Sequence, residues 1–207
     1  MKISVLGEHG YLMALFGLGF SYGHTSGLTF DEFSANKELV ARMHKVATTL
    51  KDKQGGENKF LRQIQVIVDL EMPLYWWKEC DTYKVGTCAQ SESTMHTIMR
   101  KPFELSMFSD SFTKYEKGAQ IMLNELNFLR SAYGMTDIPE QKKEIWNSII
   151  ALLPNAWLQR RILSLNYAVL QNMLTMRKNH KLAEWREFCR TIYTSVEHPE
   201  FLPDPTC

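Results

Sequence analysis

The sequence predicts an α+β protein. Apolar residues recur at helical spacing along most of the chain, while two short stretches alternate as strands do. No internal repeat, low-complexity tract or long linker interrupts this order, so residues 1–207 are expected to form a single domain. With 207 residues, 44% hydrophobic and 23% charged, the chain can bury a sizeable core.

"MKISVLG" alternates apolar and polar side chains up to a glycine and reads as a short strand. "GYLMALFGLGFSYG" follows as a helical or mixed buried segment broken by glycines. "TFDEFSANKELVARMHKVATTLKDK" reads as an amphipathic helix, with Leu39, Met43, Val46 and Leu50 on one face. "QGGEN" is a turn. In "KFLRQIQVIVDLEMP", Ile64, Val66 and Val68 alternate with Gln65, Ile67 and Asp69, a strand that Pro73 closes.

The next stretch, "PLYWWKECDTYKVGTCAQSESTMHTI", is too polar for a buried strand and too aromatic for a disordered linker. It is either a surface elbow or the wall of a ligand site. "DSFTKYEKGAQIMLNELNFLRSAYG" is a helix stopped near Gly134, and "IPEQKKEIWNSIIALLP" a second one ending before Pro154. "NAWLQRRILSLNYAVLQNMLTMRKNHKLAEWREFCRTIYTSV" reads as a long helix, a break near 178–180 and a final helix before a proline-rich tail.

A net charge of +1 leaves no field to attract nucleic acid or an anionic membrane, so neither is expected as a partner. The most apolar run, Tyr11–Phe20, falls far short of the ~20 residues a spanning helix needs. It follows Glu8 and His9 rather than a basic leader, and a soluble cytoplasmic protein is expected. Cys80, Cys88, Cys189 and Cys207 form no C-x-x-C pair and are expected as reduced thiols.

Ordinary chemistries find little support. "GLGFSYG" has neither the lysine of a P-loop nor the spacing of a dinucleotide fingerprint. The histidines His9, His24, His44, His96, His180 and His198 never stand at H-x-x-x-H or H-E-x-x-H spacing, so a zinc site has no local signature. Cys88 and His96 offer a nucleophile and a base by sequence proximity alone, and no G-x-S-x-G occurs.

One helical stretch stands out. Asn166 and Arg177 are eleven positions apart, about three turns, which puts them on one face roughly 16 Å apart. Leu170 and Met173 lie between them on that face, and Asn172 lies on its flank. An amide and a guanidinium at the ends of an apolar stripe suit a flat ligand with polar edges. The same pattern also describes a packed helix with polar ends.

At these residues the sequence resembles the flavin-dependent thymidylate synthases, the ThyX family. Leu153-Pro154, Asn166, Asn172, Arg177 and Glu184-Trp185 follow the family's order of Leu-Pro, two asparagines, an arginine and Gln/Glu-Trp. The family's signature, Arg-His-Arg-x-x-Ser-x-Asn-Glu-x-Ser-x-Arg-Tyr, follows a strand and an aromatic turn. Here the strand at 60–70 is followed by Tyr83, Lys84 and Val85, then Gln90, Ser91, Ser93 and Met95-His96, and only Ser93 is identical. The wording "YWWKE…DTYKVGT…STMH" is similar to a divergent branch found in phages and their hosts. The resemblance runs from the first strand to about residue 196.

It implies a central antiparallel sheet flanked by long helices, and a homotetramer whose active sites draw on several subunits. It implies reductive methylation of dUMP to dTMP with methylenetetrahydrofolate, FAD and NADPH. Arg177 and Ser93 take catalytic places. Asn166, Asn172, Lys84, Gln90, Ser21 and Asn58 fall at cofactor positions, and Ser91, Ser93, Thr94, His96, Arg160 and Arg177 at substrate positions. Trp76 and Trp77 are either subunit-interface anchors or core packing. Where the family holds substrate phosphate with arginines, this chain has Met95 and Ile150 or Ala151. Lys84, His96, Arg100, Lys101 and Arg160 are the cations nearby in sequence that replace them, or else the substrate differs. A flavin-dependent change to another pyrimidine nucleotide, such as hydroxymethylation, is the alternative enzyme. A non-catalytic helical interaction protein is the alternative from another class.

Overall fold

Strands Lys2–His9 (β1), Gln65–Pro73 (β2), Cys88–Ser91 (β3) and Leu158–Asn166 (β4) make one antiparallel sheet in the order β1-β2-β4-β3. This computed structural model describes residues 1–53 and 56–206, so the expected "QGGEN" turn lies partly outside the described residues. The described helices are Tyr11–Phe20 (α1), Phe30–Ala35 (α2), Lys37–Leu50 (α3), Leu74–Cys80 (α4) and Thr94–Thr97 (α5). They continue with Asp110–Thr113 (α6), Glu116–Met135 (α7), Pro139–Leu152 (α8), Tyr167–Arg177 (α9) and Ala183–Ser195 (α10). The architecture is α+β, as the hydrophobic periodicity predicts. Among the described residues no helix is long and apolar enough to cross a membrane.

Packing divides the chain into two compact units. One comprises Ile3–Asp69, Tyr83–Ala89 and the chain from Ile162 onward. There the expected alternation of Ile64, Val66 and Val68 is buried, as β-branched side chains on a pleated face should be. The helix expected across 29–53 breaks at Asn36 into α2 and α3. Asn36 leaves helical geometry and its Oδ1 accepts the Leu39 N–H, starting α3 with a side-chain cap. Thr29 and Glu32 start α2 with a reciprocal capping box. Met43 and Leu50 are buried as predicted, together with Ala47.

The other unit comprises Met1–Lys2, Leu70–Thr82 and Gln90–Arg161. Its core gathers Ile98, Phe103, Phe108, Leu123, Leu126 and Ile149. The Asn127 side chain donates to the Phe103 carbonyl at 2.9 Å and accepts its N–H at 2.8 Å, so this loop keeps both backbone partners. The single helix expected from Asp110 breaks at Lys114 and Tyr115 into α6 and α7, because Tyr115 leaves helical geometry at ψ 69. Trp76 and Trp77 on α4 are buried within the chain, with rings 5.0 Å apart edge to face, so core packing is their role. Trp77 Nε1 donates to the Gln159 carbonyl at 3.0 Å.

The largest correction concerns the long helix expected from residue 155 to 177. Its first half is β4, and only α9 is helical. Leucine and arginine favour helix locally, but sheet pairing overrides that weak preference.

In the unit that contains α1, a polar cluster ties β1 to the chain after α10. Tyr167 Oη donates to Glu8 Oε2 at 2.8 Å, and Tyr11 Oη meets His44 Nδ1 at 2.9 Å. Burial, aided by the Glu200 charge, pushes the Tyr11 phenol up to about 12. Burial and the bond to Glu8 push Tyr167 higher still. Unfolded tyrosines ionise near 10, so the unfolded state loses protons above that pH while folded Tyr11 and Tyr167 keep theirs. Their contribution is therefore complete below pH 10 and falls as pH rises above it, for Tyr11 until about pH 12. The urea midpoint should hold steady up to about pH 10 and then fall, with a shallower fall in Tyr11→Phe.

Candidate functional site

β4 turns into α9 at Asn166, which the fold uses as a helix cap. Its Oδ1 accepts the Val169 N–H at 3.1 Å, and the residue is 8% exposed. Arg177 is the last residue of this 11-residue helix, so the two side chains do stand at its opposite ends. The stripe between them is not a ligand floor. Leu170, Met173 and Leu174 have no exposed surface and pack into the core. Asn172 points to solvent from the flank.

Arg177 is held by partners from outside its helix. Its Nε donates to Tyr83 Oη at 2.9 Å, and the guanidinium lies 4.9 Å from the Trp185 ring centre and 5.6 Å from that of Tyr83. A guanidinium over aromatic faces is attracted by their quadrupoles, and here two rings restrict its plane. Burial pushes the neighbouring Cys189 thiol up to about 12, against the opposing pull of the Arg177 charge. Cys189 is therefore a neutral packing residue rather than a nucleophile. Sequence reading marked Arg177 but missed Tyr83 as its partner. The available signal was a lone tyrosine just before the "KVGT" turn.

That turn closes when the Thr87 N–H donates to the Lys84 carbonyl at 3.2 Å. Gly86 sits at its third position with φ 84, the left-handed geometry a type II turn requires. A Cβ there would lie 3.1 Å from Asn166 Nδ2 and 3.2 Å from Val169 Cγ2. Glycine thus lets the loop bearing exposed Lys84 lie directly against the start of α9. Ser21 follows α1 and Asn58 precedes a short 3-10 turn. Among the described residues no hydrogen bond ties either side chain to another predicted site residue.

In the other unit the hydroxyl-rich loop is organised by Gln159. Its Nε2 donates to the Glu92 carbonyl at 3.0 Å and to Thr94 Oγ1 at 3.2 Å. Its Oε1 accepts from Arg161 Nε at 3.0 Å and Nη2 at 2.8 Å. Arg161 lies 4.3 Å above the Trp77 ring, and burial holds its guanidinium below the usual range, against the pull of Asp81. Sequence reading overlooked both Gln159 and Arg161. The Glu92 N–H donates to the Arg160 carbonyl at 2.8 Å, which brings Gln90, Ser91 and exposed Arg160 onto paired strands.

The hydroxyl-rich stretch at 91–97 is partly helical, as Thr94–Thr97 forms α5. Ser93 precedes α5 with its side chain exposed, and its carbonyl accepts Thr97 Oγ1 at 2.9 Å. His96 and Met95 are exposed on α5. A cleft of about 330 Å3 lies alongside, lined by Thr97, Arg100, Lys101, Ser106, Glu71 and Glu92 among others. Two cations and two hydroxyls in the lining can accept an anion, and the two carboxylates there oppose it.

Replacing Gly86 with alanine should lower stability by about 1–2 kcal/mol, the usual cost of left-handed geometry for a residue with a Cβ. Urea denaturation of Gly86→Ala beside Val85→Ala tests this. Val85 is 92% exposed at the same turn, and its truncation should change nothing measurable.

The sequence matches no family model and no curated protein. Its fold does match solved structures. One is the flavin-dependent thymidylate synthase ThyX from Helicobacter pylori complexed with FAD and dUMP, with a TM-score of 0.72 at 14% identity, covering 99% of each chain. A second structure of ThyX from Helicobacter pylori with FAD and dUMP superposes with a TM-score of 0.72 at 13% identity, again over 99% of each chain. At this identity the likeness speaks for the fold, and the fold of this chain is that of ThyX.

Proposed function

We propose that this protein is a FAD-dependent enzyme that reductively methylates dUMP to dTMP. The observation that carries this reading is a ThyX fold over 99% of both chains that also holds a guanidinium, Arg177, against two aromatic rings at the end of α9. When bound, reduced flavin supplies hydride, methylenetetrahydrofolate supplies the carbon, and NADPH reduces the flavin. The residues present fit such groups in kind: exposed amides and a planar cation for ring edges, and a cleft lined by Arg100 and Lys101 for phosphate. The 99% overlap supports reading 1–207 as one functional domain.

In this reading Arg177 stabilises negative charge on a carbonyl oxygen of the pyrimidine. Its plane is set beforehand by Tyr83 and Trp185, so no reorganisation is needed when the charge develops. Exposed Asn172 and Lys84 meet the flavin, as do Gln90, Ser21 and Asn58 by the family order. Asn166 acts by capping α9, and thereby sets where Arg177 ends up. Arg100 and Lys101 take over from the missing arginines at Met95 and at Ile150 or Ala151, with Ser91, Ser93, Thr94, His96 and Arg160 as further donors.

A homotetramer with shared active sites belongs to the same proposal. In its support, Ile121, Phe128 and Met135 recur every seven residues along α7 and are 62%, 66% and 86% exposed. Such a stripe is the kind of apolar surface that subunit association covers. A cytoplasmic location agrees with Cys88 and Cys189 forming no disulfide among the described residues.

Purified protein should be yellow, or become so on incubation with FAD, and should scatter light as a tetramer. A colourless monomer after incubation would refute the proposal and favour an interaction protein.

Arg177→Ala in flavin-loaded protein should weaken nucleotide binding by about 1.5–3 kcal/mol, the range for a charged hydrogen bond, without releasing flavin. Calorimetry checks this, and unchanged affinity returns Arg177 to a structural role. The pair Arg100→Ala and Lys101→Ala should raise KM for dUMP more than for deoxyuridine. Equal effects on both would mean that this cleft holds no phosphate. The flavin-dependent change to another pyrimidine nucleotide then becomes the better reading.

A further inference from the structure

The end of β1 carries a carboxylate that the fold buries with one oxygen unused. The Glu8 side chain is 2% exposed. Its Oε2 accepts from Tyr167 Oη at 2.8 Å and from the Glu197 N–H at 2.9 Å. Its Oε1 is buried and has no hydrogen-bond partner among the described residues. An unmet buried carboxylate oxygen is costly, so a native one calls for an explanation.

That oxygen faces His198 Nε2 at 4.0 Å. Glu197 adds a third donor, and one ligand atom from each of Glu8, Glu197 and His198 lies within 4.8 Å of the others. The far side of His198 is already arranged. Its Nδ1 sits 3.1 Å from Glu200 Oε1, and its ring stacks on Tyr11 with centroids 3.5 Å apart. An Nδ1–H given to Glu200 leaves the Nε2 lone pair directed toward Glu8 and Glu197. Metal-binding histidines are oriented by carboxylates in this way. Tyr167 and the Glu197 N–H orient Glu8 in the same manner.

We propose that Glu8, Glu197 and His198 bind a divalent transition-metal ion such as Zn2+, which clips β1 to the segment after α10. One imidazole nitrogen and two carboxylates suit zinc better than magnesium or calcium, which favour all-oxygen sites. Ligand bonds of about 2.0–2.2 Å bring tetrahedral donors to roughly 3.4 Å, so the Glu8–His198 gap closes by about half an ångström on binding. Glu197 is exposed and gives the ion its way in. The ligands come from residues 8, 197 and 198, a separation no short histidine motif could reveal.

Titrate Zn2+ into tag-free, chelator-treated full-length protein by calorimetry, and follow Tm. One ion per chain should bind saturably and raise Tm, since only the folded chain brings the ligands together. Glu197→Gln keeps the backbone N–H that Glu8 uses, so it should fold normally and bind Zn2+ at least about tenfold more weakly. Glu200→Gln, which loosens the His198 ring without removing a ligand, should weaken binding about 10–100-fold. If Glu197→Gln does not fold, Co2+ in the wild-type protein decides: visible bands that equimolar Zn2+ removes are expected. No saturable Zn2+ binding, wild-type affinity in folded Glu197→Gln, no such Co2+ bands, or Mg2+ binding as tightly as Zn2+ would each overturn the proposal.

Discussion

One hydrogen bond, from the Val169 N–H to Asn166 Oδ1, governs how the chain leaves the sheet. Asn166 is extended, at φ −121 and ψ 169, and so still belongs to β4, while its side chain already serves the first turn of α9. Tyr167 anchors the same junction through its N–H to the Ile64 carbonyl at 3.1 Å. A helix leaving a strand through so short a junction has little freedom of direction. Arg177 is then carried to a defined place against Tyr83 and Trp185. A cap is worth only about 1 kcal/mol, yet this one decides where the charged end of α9 lies.

The same economy appears at Gly86. The backbone of the "KVGT" turn approaches Asn166 so closely that a Cβ would press on its side chain, so the residue that caps the helix also bounds the position of Tyr83's loop. Tyr83 and Asn166 belong to segments far apart in sequence, and both act on one helix. The arginine is thereby held by three aids of different kinds: a hydrogen bond, two aromatic faces and a helix end. Preorganisation of this type matters because a charge that must reorient during a reaction loses much of its advantage.

In the other unit Gln159 plays a comparable part without being charged. Its amide satisfies Glu92, Thr94 and Arg161 at once, and so uses both its donor and its acceptor ends. Arg161 is stacked on Trp77 and bonded to Gln159, which makes it a packing cation rather than a ligand-binding one. Arg100 and Lys101 instead line a cleft. Position in the fold, and not residue type, separates Arg161 from Arg100.

The sequence alone determined the α+β class, the strand through Ile64, Val66 and Val68, the amphipathic stripe through Met43 and Leu50, and the end of α8 before Pro154. These follow from local physics: side-chain period, and the ring of proline. It also marked the order of Asn166, Asn172 and Arg177, and with it the ThyX resemblance that the fold bears out. Tertiary structure alone decided that 158–166 is a strand, because pairing with distant strands outweighs a local preference of a few tenths of a kcal/mol per residue. It also decided that Leu170 and Met173 face the core, since periodicity reveals a stripe but not what covers it. Tyr83 beside Arg177, Gln159 beneath the hydroxyl loop, and Glu8 beside His198 were invisible for one reason. Each is a contact between residues separated by 65 positions or more, which only the closing of the sheet brings within hydrogen-bond or ion-pair reach.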